Sequence, residues 1–236
     1  MTRPEWWSRI REIVGEALAD QRRLLGPEHP ETLRTMSNLA ATLVQEGRLA
    51  EAETALRDLL EVERRVQGPE HAATLAVLAN LAAVLQDEGK LAAAETVARD
   101  ALAIDRRVLG IENPVTLTQM YNLANIIAGQ GRIDEAEKLL TETPDHQSHL
   151  YGPDDARAAL STYILGVWAA QRGNRARAFE LLRRAVEHGL DAATARSIEK
   201  DVDLKSLRGD PQFATLVADA RERADEGVRA ATERPK

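Results

Sequence analysis

Apolar residues recur along this chain with the spacing of one helix face. Between Gly26 and Gly47 they stand at i, i+3, i+6, i+7 and i+10, the pattern of an amphipathic helix. These residues are Leu33, Met36, Leu39, Ala40 and Leu43. The stretch between Gly47 and Gly68 has a similar face, formed by Ala52, Ala55, Leu56, Leu59 and Leu60. The pattern therefore predicts two helices joined by a glycine turn.

The same pair of helices occurs four times with a period of 42 residues. Glycines mark both turns of each copy, since the left-handed backbone that follows many helices favours glycine. One series is Gly26, Gly68, Gly110 and Gly152, and the other is Gly47, Gly89, Gly131 and Gly173. We therefore place repeats one to four at residues 26–67, 68–109, 110–151 and 152–189.

One position before the first helix of each repeat always carries a side chain that can accept a hydrogen bond. It is occupied by His29, His71, Asn113 and Asp155. Such side chains cap the free N–H groups at a helix start. Pro114 follows Asn113 directly, and proline favours the first helical position. We therefore predict four N-caps here rather than catalytic groups.

The residues that recur at fixed positions in the four copies form a pattern that resembles the tetratricopeptide repeat family. The first helix of each copy has a leucine followed by a small residue, and the second helix has an alanine at a fixed position. These residues are Leu39, Leu81, Leu123 and Leu165, then Ala40, Ala82, Ala124 and Gly166, and finally Ala52, Ala94, Ala136 and Ala178. The period of 42 is similar to that of the kinesin light chain class and of arrays that follow bacterial serine/threonine kinase domains. The resemblance implies an all-α fold, an α-solenoid in which helix hairpins form a right-handed superhelix.

The two ends of the chain depart from the repeat. Residues 1–25 align with the second helix of a repeat only. Either the chain is a piece of a longer protein, or Trp6 and Trp7 help to cover an exposed end. Residues 190–227 lose the period and are expected to form capping helices, because solenoids need polar terminal caps. Residues 228–236 are expected to be a disordered tail.

The resemblance implies that the first helices line a concave groove, so their non-core positions are the candidate binding surface. At about 100° per residue, these positions lie opposite the apolar face. The candidate groove residues are Arg34, Asn38, Gln45, Asn80, Asp87, Thr118, Tyr121, Asn122, Asn125, Leu160, Tyr163, Ile164 and Val167.

Three of these residues, Asn38, Asn80 and Asn122, occupy the same position in successive repeats. An amide both donates and accepts hydrogen bonds, so a row of amides can hold an extended peptide backbone. Asparagine is also a poor helix former, which makes its recurrence on a helix notable. We therefore expect a protein or peptide ligand in the groove. The alternative is that a surface position merely tolerates asparagine.

Repeat four differs because its groove positions are mainly apolar. Leu160, Ile164 and Val167 stand where the other repeats have polar residues, and Tyr163 lies beside them. Either a partner's apolar side chain docks here, or the C-terminal helices cover this face. Pro144 also interrupts the second helix of repeat three, and we expect a kink or break near residue 143 because proline removes a backbone hydrogen bond.

The composition narrows the function classes. The formal net charge is −7 and the pI about 5.4, which argues against a nucleic-acid partner. The lack of cysteine excludes disulfides, thiolate zinc sites and cysteine nucleophiles. No apolar run approaches the ~18 residues of a membrane helix, so we expect a cytoplasmic protein without a membrane partner.

No motif indicates an enzyme, a cofactor or a bound metal. A weaker alternative is a metal-binding or hydrolytic site at His146 and His149, whose spacing could bring two imidazoles to one ion on a helix. Asp201 and Asp203 are a still weaker pair of cation ligands. The sequence therefore favours a non-enzymatic scaffold in a bacterial signalling or regulatory protein. We expect it to be a monomer or a weak homodimer formed through its terminal repeats.

Overall fold

The computed structural model describes residues 3–141, 143–152 and 154–232, and all regular structure within them is helical. The α-helices are α1 (Arg3–Leu24), α2 (Pro30–Gln45), α3 (Leu49–Val66), α4 (Ala72–Asp87), α5 (Leu91–Val108), α6 (Pro114–Gly129), α7 (Ile133–Thr141), α8 (Thr143–Tyr151), α9 (Ala156–Gln171), α10 (Arg175–Glu187), α11 (Ala192–Ser197) and α12 (Pro211–Thr232). Two 3₁₀ segments, η1 (Ile198–Lys200) and η2 (Val202–Leu207), lie between α11 and α12. The predicted all-α repeat fold is confirmed.

The chain divides into two compact units, Met1–Gly131 and Arg132–Lys236. In the first unit, consecutive helices from α1 to α6 pack against one another. In the second unit, α9 and α10 form the most extensive helix pair, and α7 and α8 also pack against α9. Both units thus bury apolar helix faces by stacking consecutive helices, as repeat proteins do.

The predicted N-caps are confirmed in all four repeats. The Nδ1 atoms of His29 and His71 each accept a hydrogen bond, at 3.2 Å, from the backbone N–H two residues later. The Asn113 side chain accepts the equivalent bond at 2.9 Å and Asp155 at 3.0 Å. Three residue types therefore perform one task, which explains why the residue type varies while its position does not.

The glycine at the end of α2 closes the helix as predicted. Gly47 has φ of +75°, a left-handed conformation that side chains rarely adopt. Its N–H donates to the carbonyl of Val44 at 2.9 Å. The N–H of Arg48 donates to the carbonyl of Leu43, also at 2.9 Å. These two bonds form a Schellman motif, which satisfies the last carbonyls of the helix.

A close approach between α9 and α10 depends on Gly166. A Cβ atom at this position would lie 2.9 Å from Cγ of Leu182 and 3.2 Å from its backbone N. The Leu182 side chain is fully buried, so it cannot move aside into solvent. The small residue of the repeat pattern is therefore a packing requirement in repeat four.

The second unit contains three regions for which the sequence predicted a departure from the regular repeat: the tail, the segment near Pro144 and the C-terminal cap. α12 continues to Thr232, and residues 233–236 lie outside the described part of the chain, so the disordered tail at residues 228–236 stays a prediction. The kink or break expected near residue 143 also stays a prediction, because residue 142, between α7 and α8, is outside the described residues. Within the expected capping region, α12 packs against α10 and α11.

None of the helices in the described ranges combines the length and the apolarity required to cross a lipid bilayer.

Replacing His71 with alanine should lower the free energy of unfolding by about 1 kcal/mol, because the second N–H of α4 loses its acceptor. His71→Asn should retain most of the stability, since Asn113 performs the same task one repeat later. Urea unfolding followed by circular dichroism measures both. Equal losses for the two variants would show that capping is not what His71 contributes.

Replacing Gly166 with alanine should lower the free energy of unfolding by about 1–3 kcal/mol, the usual cost of forcing a methyl group into a packed core. Gly129→Ala is the matched control, because a Cβ there would meet Leu91 only at an ordinary distance of 3.5 Å. That control should be neutral or slightly stabilising, since alanine is the better helix former. A Gly166→Ala variant as stable as the wild type would contradict the predicted overlap with Leu182.

Candidate functional site

The candidate surface in the first unit is the face of α2, α4 and α6 that points away from their buried residues. We call it the first-helix face. Most of its predicted members are exposed, and three of those on α6 are half-buried. Exposed members are Arg34, Asn38, Gln45, Asn80, Asp87 and Thr118, while Tyr121, Asn122 and Asn125 are half-buried. The structure therefore presents all the predicted residues of this unit at or near the surface.

The three asparagines occupy equivalent positions on α2, α4 and α6. Asn38 and Asn80 are exposed and Asn122 is half-buried. Within the described ranges, none of their side-chain amides has an intramolecular hydrogen bond. Each amide can therefore offer both its donor and its acceptor to a ligand.

Charge on the first-helix face is sparse. The one predicted basic member, Arg34, donates a hydrogen bond to Glu31 of the same helix. Asp87 adds an acidic group at the C-terminal end of α4. Because Arg34 already has a carboxylate partner, this face lacks the free cations that an acidic tail would require.

A cleft opens between α2 and α4, and predicted face residues form part of its wall. Its volume is about 210 Å³. Gln45, Asn80 and Asp87 supply the polar part of the lining, and Ala41 and Ala83 are among its small apolar residues. Alanine side chains leave room between helices that larger residues would fill.

A larger cleft of about 390 Å³ lies between α4 and α6. Its walls are largely apolar and include Leu75, Ala76 and Leu109, while Thr118 and Asn122 stand at its polar side. The two clefts were not predicted, although the alanines at face positions were the available signal. Asn80 borders the first cleft and Asn122 the second, so amides and apolar cavities alternate along the face.

Asp105, near the end of α5, lines the larger cleft and was missed by the sequence analysis. Its side chain has no exposed surface, and neither carboxyl oxygen has a hydrogen-bond partner in the described structure. Burial raises the pKa of this carboxyl, since a low-dielectric surrounding disfavours the charged form. An unpaired carboxyl beside an apolar cavity is costly unless something else binds it.

The repeat period contained a signal for this buried group. The position of Asp105 is polar in the neighbouring copies as well, where it is occupied by Gln21, Glu63 and Gln147. In the second unit Gln147 accepts a hydrogen bond from Ser161 at 3.0 Å. Glu63 is also buried, and burial raises its pKa. A polar residue recurring among apolar ones therefore marks a buried polar position in repeats one to three, at Glu63, Asp105 and Gln147.

The apolar groove positions of repeat four are covered within the second unit. Tyr163 and Val167 are only 4% and 5% exposed, and η2 packs against α9. The Tyr163 hydroxyl donates to Oδ2 of Asp201 at 2.6 Å. Burial and the nearby Asp201 carboxylate raise the pKa of Tyr163. Of the two predicted interpretations, the covered face is the one observed, so placing Tyr163 and Val167 on a binding surface was wrong.

Leu160 and Ile164, the other two apolar members, are half-buried. Asp201, considered as a cation ligand, is the hydrogen-bond acceptor of Tyr163 and also accepts from the N–H of Asp203 at 2.9 Å. Asp201 and Asp203 therefore stabilise the covered face.

The histidine alternative finds no support in the geometry. His146 is half-buried and His149 exposed, and each interacts with another residue of the chain. Over the described ranges, no three His, Cys, Asp or Glu side chains come together as a metal-binding group.

Comparison with known proteins gave one family and several structures. A model of the tetratricopeptide repeat family matches residues 9–62, 34–107 and 115–188. The crystallised TPR-like repeats of a candidate kinesin light chain from Podosopora anserina are 25% identical, with a TM-score of 0.68 over 76% of this chain and 85% of that one. BtubC (BKLC) from P. vanneervenii is 22% identical, with a TM-score of 0.73 over 100% of this chain and 96% of that one. No curated protein matches the chain.

Replacing Asp105 with asparagine should stabilise the protein at neutral pH by about 1–3 kcal/mol, because an unpaired buried charge is removed. A carboxyl whose pKa is raised by folding binds its proton more tightly in the folded state. The contribution of Asp105 to wild-type stability should therefore be largest in acid and be lost as the pH rises through its folded pKa, so the stability gained by the variant should grow with pH. Thermal unfolding between pH 4 and 8 measures the difference, and a constant gap between the two proteins would contradict the burial argument.

Proposed function

This chain belongs to the tetratricopeptide repeat family, and we propose that its first unit is a non-enzymatic scaffold that binds a protein segment on the first-helix face. The observation that carries the proposal is the alternation of unpaired asparagine amides with apolar clefts along α2, α4 and α6.

The asparagines supply contacts that do not depend on the ligand's side chains. Asn38, Asn80 and Asn122 each have a free donor and a free acceptor. A backbone peptide group also has one donor and one acceptor, so an amide can pair with it in both directions. A row of such amides therefore suits an extended segment of varied sequence.

The clefts supply contacts that depend on the ligand's side chains. The α2/α4 and α4/α6 clefts measure about 210 and 390 Å³, enough for one side chain or a few atoms more. Burying an apolar side chain in such a cleft contributes about 1.5–3 kcal/mol. Together, backbone amides and side-chain clefts would give both affinity and selectivity.

A place for this scaffold in a bacterial signalling or regulatory protein is the finer part of the proposal. It is supported by the resemblance of the repeats to arrays that follow bacterial kinase domains. The structural neighbours support the wider statement that kinesin light chain-like repeats have this architecture.

The double change Asn80→Ala with Asn122→Ala should weaken peptide binding by about tenfold or more, because each lost hydrogen bond is worth about 1 kcal/mol. Peptides selected from a random display library on the wild-type protein serve as ligands, and isothermal titration calorimetry measures their affinity. Helicity and melting temperature should be unchanged, since neither amide is fully buried.

The matched control is Thr54→Ala with Thr96→Ala, two exposed polar residues 42 positions apart on the second helices α3 and α5. This pair should bind the selected peptides like the wild type. Light scattering on the same samples verifies that the association state is equal in all variants. Equal loss of binding in both double variants, or loss of folding with loss of binding, would refute the asparagine contacts.

A further inference from the structure

The α4/α6 cleft contains a buried acidic group that the described residues leave without a partner. Asp105 is completely buried, and both of its carboxyl oxygens lack a partner among the described residues. Leaving a buried polar group unsatisfied costs about 1–3 kcal/mol, more when it is charged. A leucine at the same position would avoid this cost, so stability alone does not favour an aspartate.

The charged lining of this cleft is entirely acidic. Asp105 and Glu70 are its only charged members in the described structure. Glu70 is exposed and forms an ion pair with Arg107 at 2.8 Å, whereas Asp105 has no such pair. Negative charge in the cleft is thus concentrated on one carboxyl group, which is held away from water.

The rest of the lining is suited to an aliphatic chain. Leu75, Ala76, Ala79 and Leu109 supply apolar surface beside the carboxyl group. A volume of about 390 Å³ lies at the small end of ligand sites, which suits a single long side chain better than a folded ligand. Lysine and arginine combine such an aliphatic stem with a terminal cation.

We propose, as a refinement that rests on the proposed function, that the α4/α6 cleft binds a lysine or arginine side chain of the partner segment through Asp105. The aliphatic stem lies against Leu75, Ala79 and Leu109, and the terminal cation pairs with the carboxylate. Asn122 at the same cleft holds the backbone next to that side chain.

The energetics favour this occupant over a neutral one. Burying a new ion pair is often unfavourable, because both ions lose water. Here folding has already removed water from the carboxylate, so an entering cation restores a partner to a charge that lacks one. The ligand cation alone has still to be desolvated, and the apolar walls bury its stem at the same time.

Small probes test the pocket without the natural partner. The wild-type protein should bind n-pentylammonium and n-pentylguanidinium about tenfold or more tightly than 1-pentanol at pH 7.5, the factor expected from a charge-assisted hydrogen bond. Chemical shifts of backbone amides in α4, α5 and α6 report the binding. The preference for the cations should decline as the pH falls and Asp105 takes up a proton.

Asp105→Asn should abolish the preference for the cations while leaving the fold intact, since the change removes a buried charge. Glu63→Gln is the matched control, because it removes the buried carboxyl one repeat earlier, which does not line this cleft. That control should keep the preference. Equal binding of 1-pentanol and n-pentylammonium, or a preference that survives in Asp105→Asn, would overturn the proposal.

The display library separates this refinement from the proposed function. Peptides selected on the wild type should share one basic residue, and those selected on Asp105→Asn should not. If selected peptides depend on Asn80 and Asn122 but have no such basic residue, the cation pocket is wrong and the binding face stands. If no peptide depends on the asparagines while the small cations still bind through Asp105, the binding face is wrong.

Discussion

One buried alanine per repeat is the packing constraint on which the structure depends. Ala52, Ala94, Ala136 and Ala178 have no exposed surface, and they occupy the same position in every copy. A single methyl group lets neighbouring helix backbones approach closely within each unit. In the second unit α9 and α10 approach closely at Gly166, where even a methyl group would overlap Leu182. In the first unit, the repeat places the asparagines at equivalent positions of α2, α4 and α6, with a cleft between each neighbouring pair of these helices.

The spacing between successive repeats also determines which charged side chains form pairs. Glu53 and Lys90, from successive repeats, are 2.6 Å apart, and this hydrogen bond lowers the pKa of Glu53. One repeat later, Glu95 accepts a hydrogen bond from Gln130 at 2.6 Å. These carboxylates hold adjacent repeats together, so the fold supplies their partners. Asp105 differs because burial raises its pKa and no described residue lies within hydrogen-bond distance of its carboxyl oxygens. This contrast is one basis of our proposal that Asp105 binds a cation of the partner segment.

Hydrogen bonding between residues close in the sequence made much of this structure predictable. Helix starts at His29, His71, Asn113 and Asp155, and the left-handed glycines, follow from backbone hydrogen bonding within a few residues. The period of 42 then predicted which face of each first helix remains at the surface. Prediction failed where the period ends. Burial of Tyr163 and Val167 depends on η2 and Asp201, which no repeat pattern positions. Asp105 was missed because it is buried where α4, α5 and α6 meet. The polarity of a single residue in the sequence does not reveal such burial.

The central claim is that α2, α4 and α6 together bind a protein segment through their asparagines. Nuclear magnetic resonance tests it most directly, by following the side-chain NH₂ signals of Asn38, Asn80 and Asn122 while a selected peptide is added. The account predicts that these signals shift together and show intermolecular Overhauser contacts with the peptide backbone. Shifts confined to the outer faces of α3 and α5, with the asparagine signals unchanged, would contradict it.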